Sequence, residues 1–215
     1  MKKTIIFDFD GTIGDTLTLG IEIYNNIAHR FNCKEVDLSD VAGLQSKRPK
    51  EIMGDYNINY FNIPFLLWSI KKELGKRMDE VQAFPDMIDG IKELKENGHR
   101  IGILTSNSKE NVSKFLDVHE LNGLFEFVYS GKHVFGKEKT MKKVLKKEKI
   151  SLSDVVYVGD ETRDIVASKK AGIPIVSVSW GFNTKEALQD LNPDFLVDTP
   201  QEMGAVLKNI EKKRF

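Results

Sequence analysis

Six short apolar runs, separated over much of the chain by stretches with helical spacing, constrain this chain more than any other feature. The first begins at Thr4 and ends in Asp8 and Asp10; the others are Arg100–Thr105, Phe127–Ser130, Val155–Val158, Ile175–Val178 and Phe195–Val197. Runs of this length, rich in Ile and Val, suit strands buried on both faces. Between them Met87, Ile88, Ile91 and Leu94 form a stripe that Gly98 ends. Val112, Phe115 and Leu116 form another, Met141, Val144 and Leu145 a third, and Ile165 to Ala171 a fourth, closed by Gly172 and Pro174. Strands that alternate with such helices need crossover connections. The pattern predicts an α/β fold with a mostly parallel sheet and helices on both faces.

Residues 15–83 interrupt the alternation. Leu17, Ile21, Tyr24, Ala28 and Phe31 step by four and three, as one face of an amphipathic helix does. Pro64 starts or kinks a helix within an aromatic stretch of Tyr56, Tyr60, Phe61, Phe65, Leu66 and Trp68, which reads as a small core. No strand pattern is visible there. The expected division is an α/β domain from residues 1–14 and 84–215, with a helical insertion of residues 15–83.

Composition narrows the partners. Lys plus Arg equals Asp plus Glu at 32 each, so the overall charge gives no attraction to nucleic acid or an anionic membrane. The basic run from Lys137 to Lys149 alternates with Met141, Val144 and Leu145, which reads as a solvated helix face. Cys33 is the single cysteine, so no intrachain disulfide can form, which fits a reducing compartment. No apolar stretch approaches the roughly 18 residues of a membrane span. Met1-Lys2-Lys3 leads straight into the first strand without an apolar signal region. The expectation is a cytoplasmic protein with neither nucleic acid nor membrane as partner.

The ends of the runs carry the chemistry. Asp8 and Asp10 stand two apart, and on a strand both would face the same way. Two carboxylates at the end of a buried strand repel, unless a cation sits between them or one acid keeps its proton. Gly11 lets the backbone turn, and the Thr12 hydroxyl can bond to that turn. In parallel sheets, ligands bind beyond the carboxyl ends of the strands. The second run ends in Thr105-Ser106-Asn107-Ser108, whose hydroxyl and amides can donate to an anion at a helix start. Asn107 with Glu110 also fits a capping pattern. Lys132, Lys137 and Lys139 follow the third run, and a lysine there can neutralise phosphate charge. The fourth run leads into Gly159-Asp160-Glu161-Thr162-Arg163-Asp164, acids that suit a hard divalent cation. An acid pair, a hydroxyl, a lysine and a second acid pair, in that order, point to phosphoryl transfer.

On these motifs the chain resembles the haloacid dehalogenase superfamily, and within it the phosphoglycolate phosphatase-like group with a small helical cap. The residues that carry the likeness are Asp8-Phe9-Asp10-Gly11-Thr12, Thr105, Lys137, and Gly159-Asp160 with Asp164. The likeness runs from residue 4 to about residue 200 and takes in Val178-Ser179-Trp180-Gly181-Phe182 and Asp194 to Asp198. It implies a Rossmann-like core with residues 15–83 as the cap domain. It also implies a Mg²⁺-dependent phosphatase that hydrolyses a small, phosphoglycolate-like phosphomonoester through an aspartyl-phosphate. Asp8 would be the nucleophile and Asp10 the acid and base. Mg²⁺ would sit on a carboxylate oxygen of Asp8, the backbone carbonyl of Asp10 and the carboxylate of Asp160, with Asp164 supporting it directly or through another ligand. Thr105 and Lys137 would hold the phosphoryl oxygens, with Ser106 and Asn107 beside them at the substrate. In the cap, the loop Gly43 to Arg48 is the candidate for specificity, with Lys47 or Arg48 binding a carboxylate or hydroxyl.

Two departures from the group's pattern matter. Its lysine is commonly followed by Pro-x-Pro, whereas Glu138-Lys139 follows here; Gly136 favours Lys137, and Lys139 is the alternative. Ala83 to Met87 resembles the group's Pro-Gly hinge, with Asp86 where glycine is frequent. Two other functions share these motifs. A sugar-phosphate mutase uses the same acids and returns the phosphoryl group to its substrate. A receiver-type phospho-acceptor has similar acids but is shorter and lacks the insertion. Dehalogenation fits less well, because the halide-cleaving relatives generally lack an acid at the position of Asp10. Monomer and dimer both remain open.

Overall fold

A computed structural model describes residues 2–47, 49–131 and 136–210. Six strands form one sheet: β1 (Thr4–Phe7), β2 (Arg100–Thr105), β3 (Phe127–Ser130), β4 (Val155–Gly159), β5 (Ile175–Val178) and β6 (Phe195–Val197). Their order is β3-β2-β1-β4-β5-β6, and all neighbours are parallel. The chain therefore builds outward from β1 in one direction and then, from β4, in the other. That reversal opens a crevice beyond the carboxyl ends of β1 and β4. The helices, in chain order, are α1 (Thr16–Ala28), α2 (Val41–Ser46), α3 (Pro49–Asp55), α4 (Ile63–Lys76), α5 (Met87–Glu96), α6 (Lys109–Val118), α7 (Lys137–Glu148), α8 (Thr162–Ala171), α9 (Lys185–Gln189) and α10 (Pro200–Asn209). None is long and apolar enough to cross a membrane.

Alternation along the strands feeds two cores. Ile5 and Phe7 of β1 enter one, with Ile91 of α5, Phe115 of α6 and Met203 of α10. Ile6, between them, enters the other, with Met141 and Leu145 of α7 and Ile165 of α8. Each such side chain, fully buried, contributes about 1.5–3 kcal/mol of transfer free energy. Thus β1 is covered on both sides, as its unbroken apolar run requires. Lys139, Lys142, Lys143, Lys146 and Lys147 of α7 face outward while Met141, Val144 and Leu145 point in; Lys137, at its start, does not share that solvated face. At β2, Gly102 pairs in register with Phe127 of β3. A Cβ on Gly102 would come 2.1 Å from the Phe127 ring, so the ring lies across the bare backbone.

Between β1 and β2 the described chain is helical. The carboxylate of Asp15 caps α1, accepting from the Thr18 amide at 3.2 Å and the Thr18 hydroxyl at 2.8 Å. One face of α1, with Ile21, Tyr24, Ile27 and Ala28, packs on Val36 and Leu66 as a separate small core. Pro64 stands in the first turn of α4, where its missing N–H costs nothing. The aromatic stretch behaves otherwise than expected. Leu66 is buried and Tyr56 packs beside it, but Tyr60, Phe61, Phe65 and Trp68 are 62 % to 81 % exposed. Leu66 and Ile70, four apart, form the inward stripe of α4. Phe65 and Trp68, three apart on α4, stand outside that stripe, and Phe61 lies in the short helical turn before α4. The two ends of the insertion run side by side, the Asp15 amide donating to Gln82 O at 2.8 Å and the Phe84 amide to Ile13 O at 3.1 Å. Asp86 takes φ of +60°, the left-handed conformation for which glycine is the ordinary choice, and accepts from Gln201 Nε2 at 2.6 Å.

Candidate active site

The first strand stops at Phe7, and the Asp8 amide extends its ladder by one bond, to Val158 O at 2.8 Å. Alternation therefore places Asp8 but not Asp10. A tight turn places Asp10 instead: the amides of Thr12, Ile13 and Gly14 converge on Phe9 O, and Gly11 takes φ of +74°. The Asp10 carboxylate is then held from the end of β2. Asn107 Nδ2 donates to its Oδ1 at 2.9 Å, and Thr105 Oγ1 donates to its Oδ2 at 3.4 Å. Burial, then the charge of Asp8, pushes the Asp10 carboxyl up to about 6.

Asn107 does not cap α6. Ser108 does, accepting from the Asn111 amide at 3.1 Å. The side-chain Oδ1 of Asn107 accepts from the Ser108 amide and from Asn111 Nδ2, both at 2.8 Å, which aims its NH₂ at Asp10. The sequence pattern put the cap one residue early because Asn and Ser are both good caps. Thr12 also differs from expectation. Its hydroxyl reaches across to Asp160 Oδ1 at 2.7 Å rather than bonding to its own turn.

Asp160 leaves the end of β4 fully buried. Its Oδ2 accepts from the Phe182 amide at 2.7 Å. A Cβ on either Gly11 or Gly181 would come 2.3 Å from that oxygen, so both glycines are required by close approach. Asp164, in the first turn of α8, is also fully buried. Lys137 opens α7 directly after Gly136 and binds Asp8 Oδ2 and Asp164 Oδ1, each at 2.5 Å, with its ammonium 5.1 Å over the Tyr157 ring. Lys139, the alternative, is exposed. Lys132 lies outside the described residues.

One carboxylate oxygen from each of Asp8, Asp160 and Asp164 lies within 4.8 Å of the others. Opposite ligands of an octahedral Mg²⁺ stand about 4.2 Å apart, from the metal–oxygen distances of small hard cations. Three buried, hard oxygen donors at this spacing fit a divalent cation. The electrostatics agree. Burial pushes the Asp160 carboxyl well above the usual range, and the charges of Asp8 and Asp164 push it further. Burial raises Asp164 to about 7 even though Lys137 opposes the shift. Burial works against the Lys137 charge, yet Asp164 and Asp8 hold its amino group well above the ordinary lysine value. Such a cluster favours added positive charge. The Asp10 carboxylate stands outside this trio.

The insertion touches two rims of the site. Lys71 Nζ of α4 donates to Ser106 O at 3.5 Å, and Gln45 Nε2 of α2 donates to Gly181 O. Sequence reasoning pointed to Lys47 and Arg48 instead. Lys47 is bound to Asp55 at 2.9 Å and lies over the Tyr56 ring, both within the insertion. Arg48 lies outside the described residues. Gln45 does lie in the segment Gly43 to Arg48 that the sequence singled out, whereas nothing in the local pattern marked Lys71. Thr105, Ser106, Gly131 and Lys137 share a pocket with Arg163, whose place inside the Gly159–Asp164 motif was a signal left unused.

The model of the haloacid dehalogenase-like hydrolase family matches residues 5–178. A phosphoglycolate phosphatase of Synechococcus elongatus is 33 % identical over 201 residues, covering 94 % of this chain and 95 % of that protein. Pyrophosphatase PpaX of Bacillus anthracis is 24 % identical over 214 residues, 98 % of each. Among solved structures, a haloacid dehalogenase-like family hydrolase from Streptococcus pneumoniae superposes with a TM-score of 0.79 at 20 % identity, covering 96 % of this chain and 98 % of that one. CbbY from Rhodobacter sphaeroides, in complex with phosphate, gives 0.69 at 21 % identity over 95 % and 97 %. These structures share the fold. The chain belongs to the haloacid dehalogenase-like hydrolase family. Its enzyme class is that of a phosphoric monoester hydrolase.

Proposed function

We propose that the chain is a Mg²⁺-dependent phosphatase that hydrolyses a small phosphomonoester of the phosphoglycolate kind through an aspartyl-phosphate. The observation that carries this reading is the buried trio Asp8, Asp160 and Asp164, tied by Lys137, with a proton-prone Asp10 alongside. Mg²⁺ would be held by Asp8, Asp160 and Asp164, with the Asp10 carbonyl as a further ligand. When bound, it offsets charge on the phosphoryl oxygens.

The side chains then divide the work. An Asp8 oxygen attacks phosphorus, and the bond from phosphorus to the leaving oxygen breaks. Asp10, whose carboxyl stands near 6, delivers its proton to that oxygen. A water molecule next attacks the phosphorus of the aspartyl-phosphate and gives its proton to Asp10. The bond from phosphorus to Asp8 breaks, and phosphate leaves with Asp8 restored. The Thr105 hydroxyl, whose bond to Asp10 is long at 3.4 Å, can turn to a phosphoryl oxygen. The Lys137 ammonium offsets charge as it builds in the transition state, and the Ser106 amide adds a donor.

Residues 15–83 act as a cap on the domain formed by residues 1–14 and 84–215. The contacts of Gln45 and Lys71 with the two rims support this division. The free thiol of Cys33 suits a reducing, cytoplasmic setting.

The test is phosphate release from phosphoglycolate, with and without Mg²⁺, by the chain and by Asp8→Asn. The chain should release inorganic phosphate only with the metal, and Asp8→Asn should fall to background. Full activity in Asp8→Asn refutes the nucleophile. An isomerised phosphate ester in place of free phosphate turns the reading to the mutase.

A further inference from the structure

We propose that Arg163, held in place by Glu161, binds a second anionic group of the substrate, a carboxylate or phosphate on the leaving side of the ester. The inference deepens the phosphatase reading and rests on it.

Arg163 is the second residue of α8, between Asp160 and Asp164. Its side chain lines the pocket shared by Thr105, Ser106, Gly131 and Lys137, the groups assigned to the phosphoryl end. At 33 % exposure the side chain is neither buried in the core nor free in solvent. One edge of the guanidinium is fixed, Nη2 donating to Glu161 Oε1. Glu161 is itself only 20 % exposed and caps α8 together with Asp164, so it offers a firm anchor. The other side is incomplete: Arg163 Nε is buried without an acceptor among the described residues. A guanidinium offers five donors in a planar fork, and a buried donor of this kind calls for an acceptor. In this pocket a ligand oxygen can supply it.

Among the described residues, the other cations named at the site are engaged, Lys71 with Ser106 O. Lys137 is bound to two carboxylates, and Lys47 is paired with Asp55. A substrate with a single phosphoryl group needs only Thr105, Ser106 and Lys137. An arginine beside that set matches a further carboxylate or phosphate, because its fork fits either one through two parallel bonds. The two relatives named above have substrates of this description. Phosphoglycolate carries a carboxylate beyond the phosphoryl group, and pyrophosphate carries a second phosphate.

The experiment compares phosphoglycolate, pyrophosphate and 2-hydroxyethyl phosphate, the last being close in size to the first but without the carboxylate. The readout is preference, the ratio of kcat/KM for each anionic substrate to that for 2-hydroxyethyl phosphate. Arg163→Gln should lower the preference by about 10-fold to 100-fold through KM, as loss of a charge-assisted bond does. Arg163→Lys should restore part of it, because charge returns without the fork. Glu161→Gln should lower it by a smaller factor, again through KM. The substrate whose ratio falls identifies the group bound, carboxylate or phosphate. An unchanged ratio in Arg163→Gln overturns the proposal, as does an equal fall for all three substrates. A wild-type chain inactive on all three with Mg²⁺ sinks the phosphatase reading instead, which keeps the two failures apart.

Discussion

Replacing Lys137 by Met removes an ammonium that ties Asp8 to Asp164. The two bonds are 2.5 Å long, and the side chains are 12 %, 3 % and 0 % exposed for Lys137, Asp8 and Asp164. Breaking a buried ion pair from one side costs about 3–5 kcal/mol, because the remaining charge stays buried. For a chain of this size that is a fall in Tm of roughly 6–20 °C, at about 2–4 °C per kcal/mol. The loss depends on pH. Asp164 stands near 7 with the lysine present and rises further without it. A carboxyl raised in the fold weakens it as pH climbs from the unfolded value to the folded one, and the loss is complete above the folded value. At pH 5 Asp164 takes up a proton in both proteins, so the difference is small. At pH 8 it is full. Mg²⁺ should restore more of the Tm in Lys137→Met than in the parent, since a metal ion supplies the missing charge. Thermal melts at pH 5 and pH 8, in chelator and in Mg²⁺, measure all of this. Equal melting of the two proteins in chelator at pH 8 would refute the reasoning. So would a loss that neither pH nor metal changes.

Other outcomes follow from single contacts. Asn107→Ala removes the donor that lowers the Asp10 carboxyl, so the alkaline limb of the pH–rate profile should move up by about one unit, as expected for one charge-assisted bond. Gly181→Ala forces Asp160 to move, because its Cβ would come 2.3 Å from that carboxylate. The Mg²⁺ concentration for half-maximal activity should rise at least about tenfold while far-ultraviolet circular dichroism is retained. Asp15→Ala removes the cap of α1 and should cost about 1 kcal/mol, read as a Tm fall of about 2–4 °C.

The sheet was legible because its strands are covered on both faces. The bounds read for β2, β3, β5 and β6 match the observed ones, although only β2 and β5 are buried almost throughout and the edge strands β3 and β6 are partly exposed. Asp8, Asp160 and Asp164 were legible for a related reason. Each lies at or just after a strand end where ligands gather, and the structure brings the three together. What stayed hidden depends on contacts distant in sequence. Asn107 and Asp10 are 97 residues apart, Thr12 and Asp160 148, and Gln45 and Gly181 136. Local spacing carries no trace of such pairs. The aromatic stretch misled for a simpler reason. An isolated amphipathic pattern shows that one face of α4 is apolar, but Phe65 and Trp68 of α4, with Phe61 just before it, are further apolar residues that composition alone cannot assign to inside or outside.

The bare backbone at Gly102 has a consequence for how the edge of the sheet assembles. Strand β3 is only four residues long, and a strand so short can slide by two positions without turning its faces over. Two positions either way would set the Phe127 ring against Arg100 or Leu104, where a side chain already fills the space that Gly102 leaves open. The notch therefore admits one alignment, like a key cut for a single ward. That alignment carries Gly131 to its bond with Thr105 O at 2.8 Å, so one wall of the pocket owes its place to a missing methyl group on the neighbouring strand.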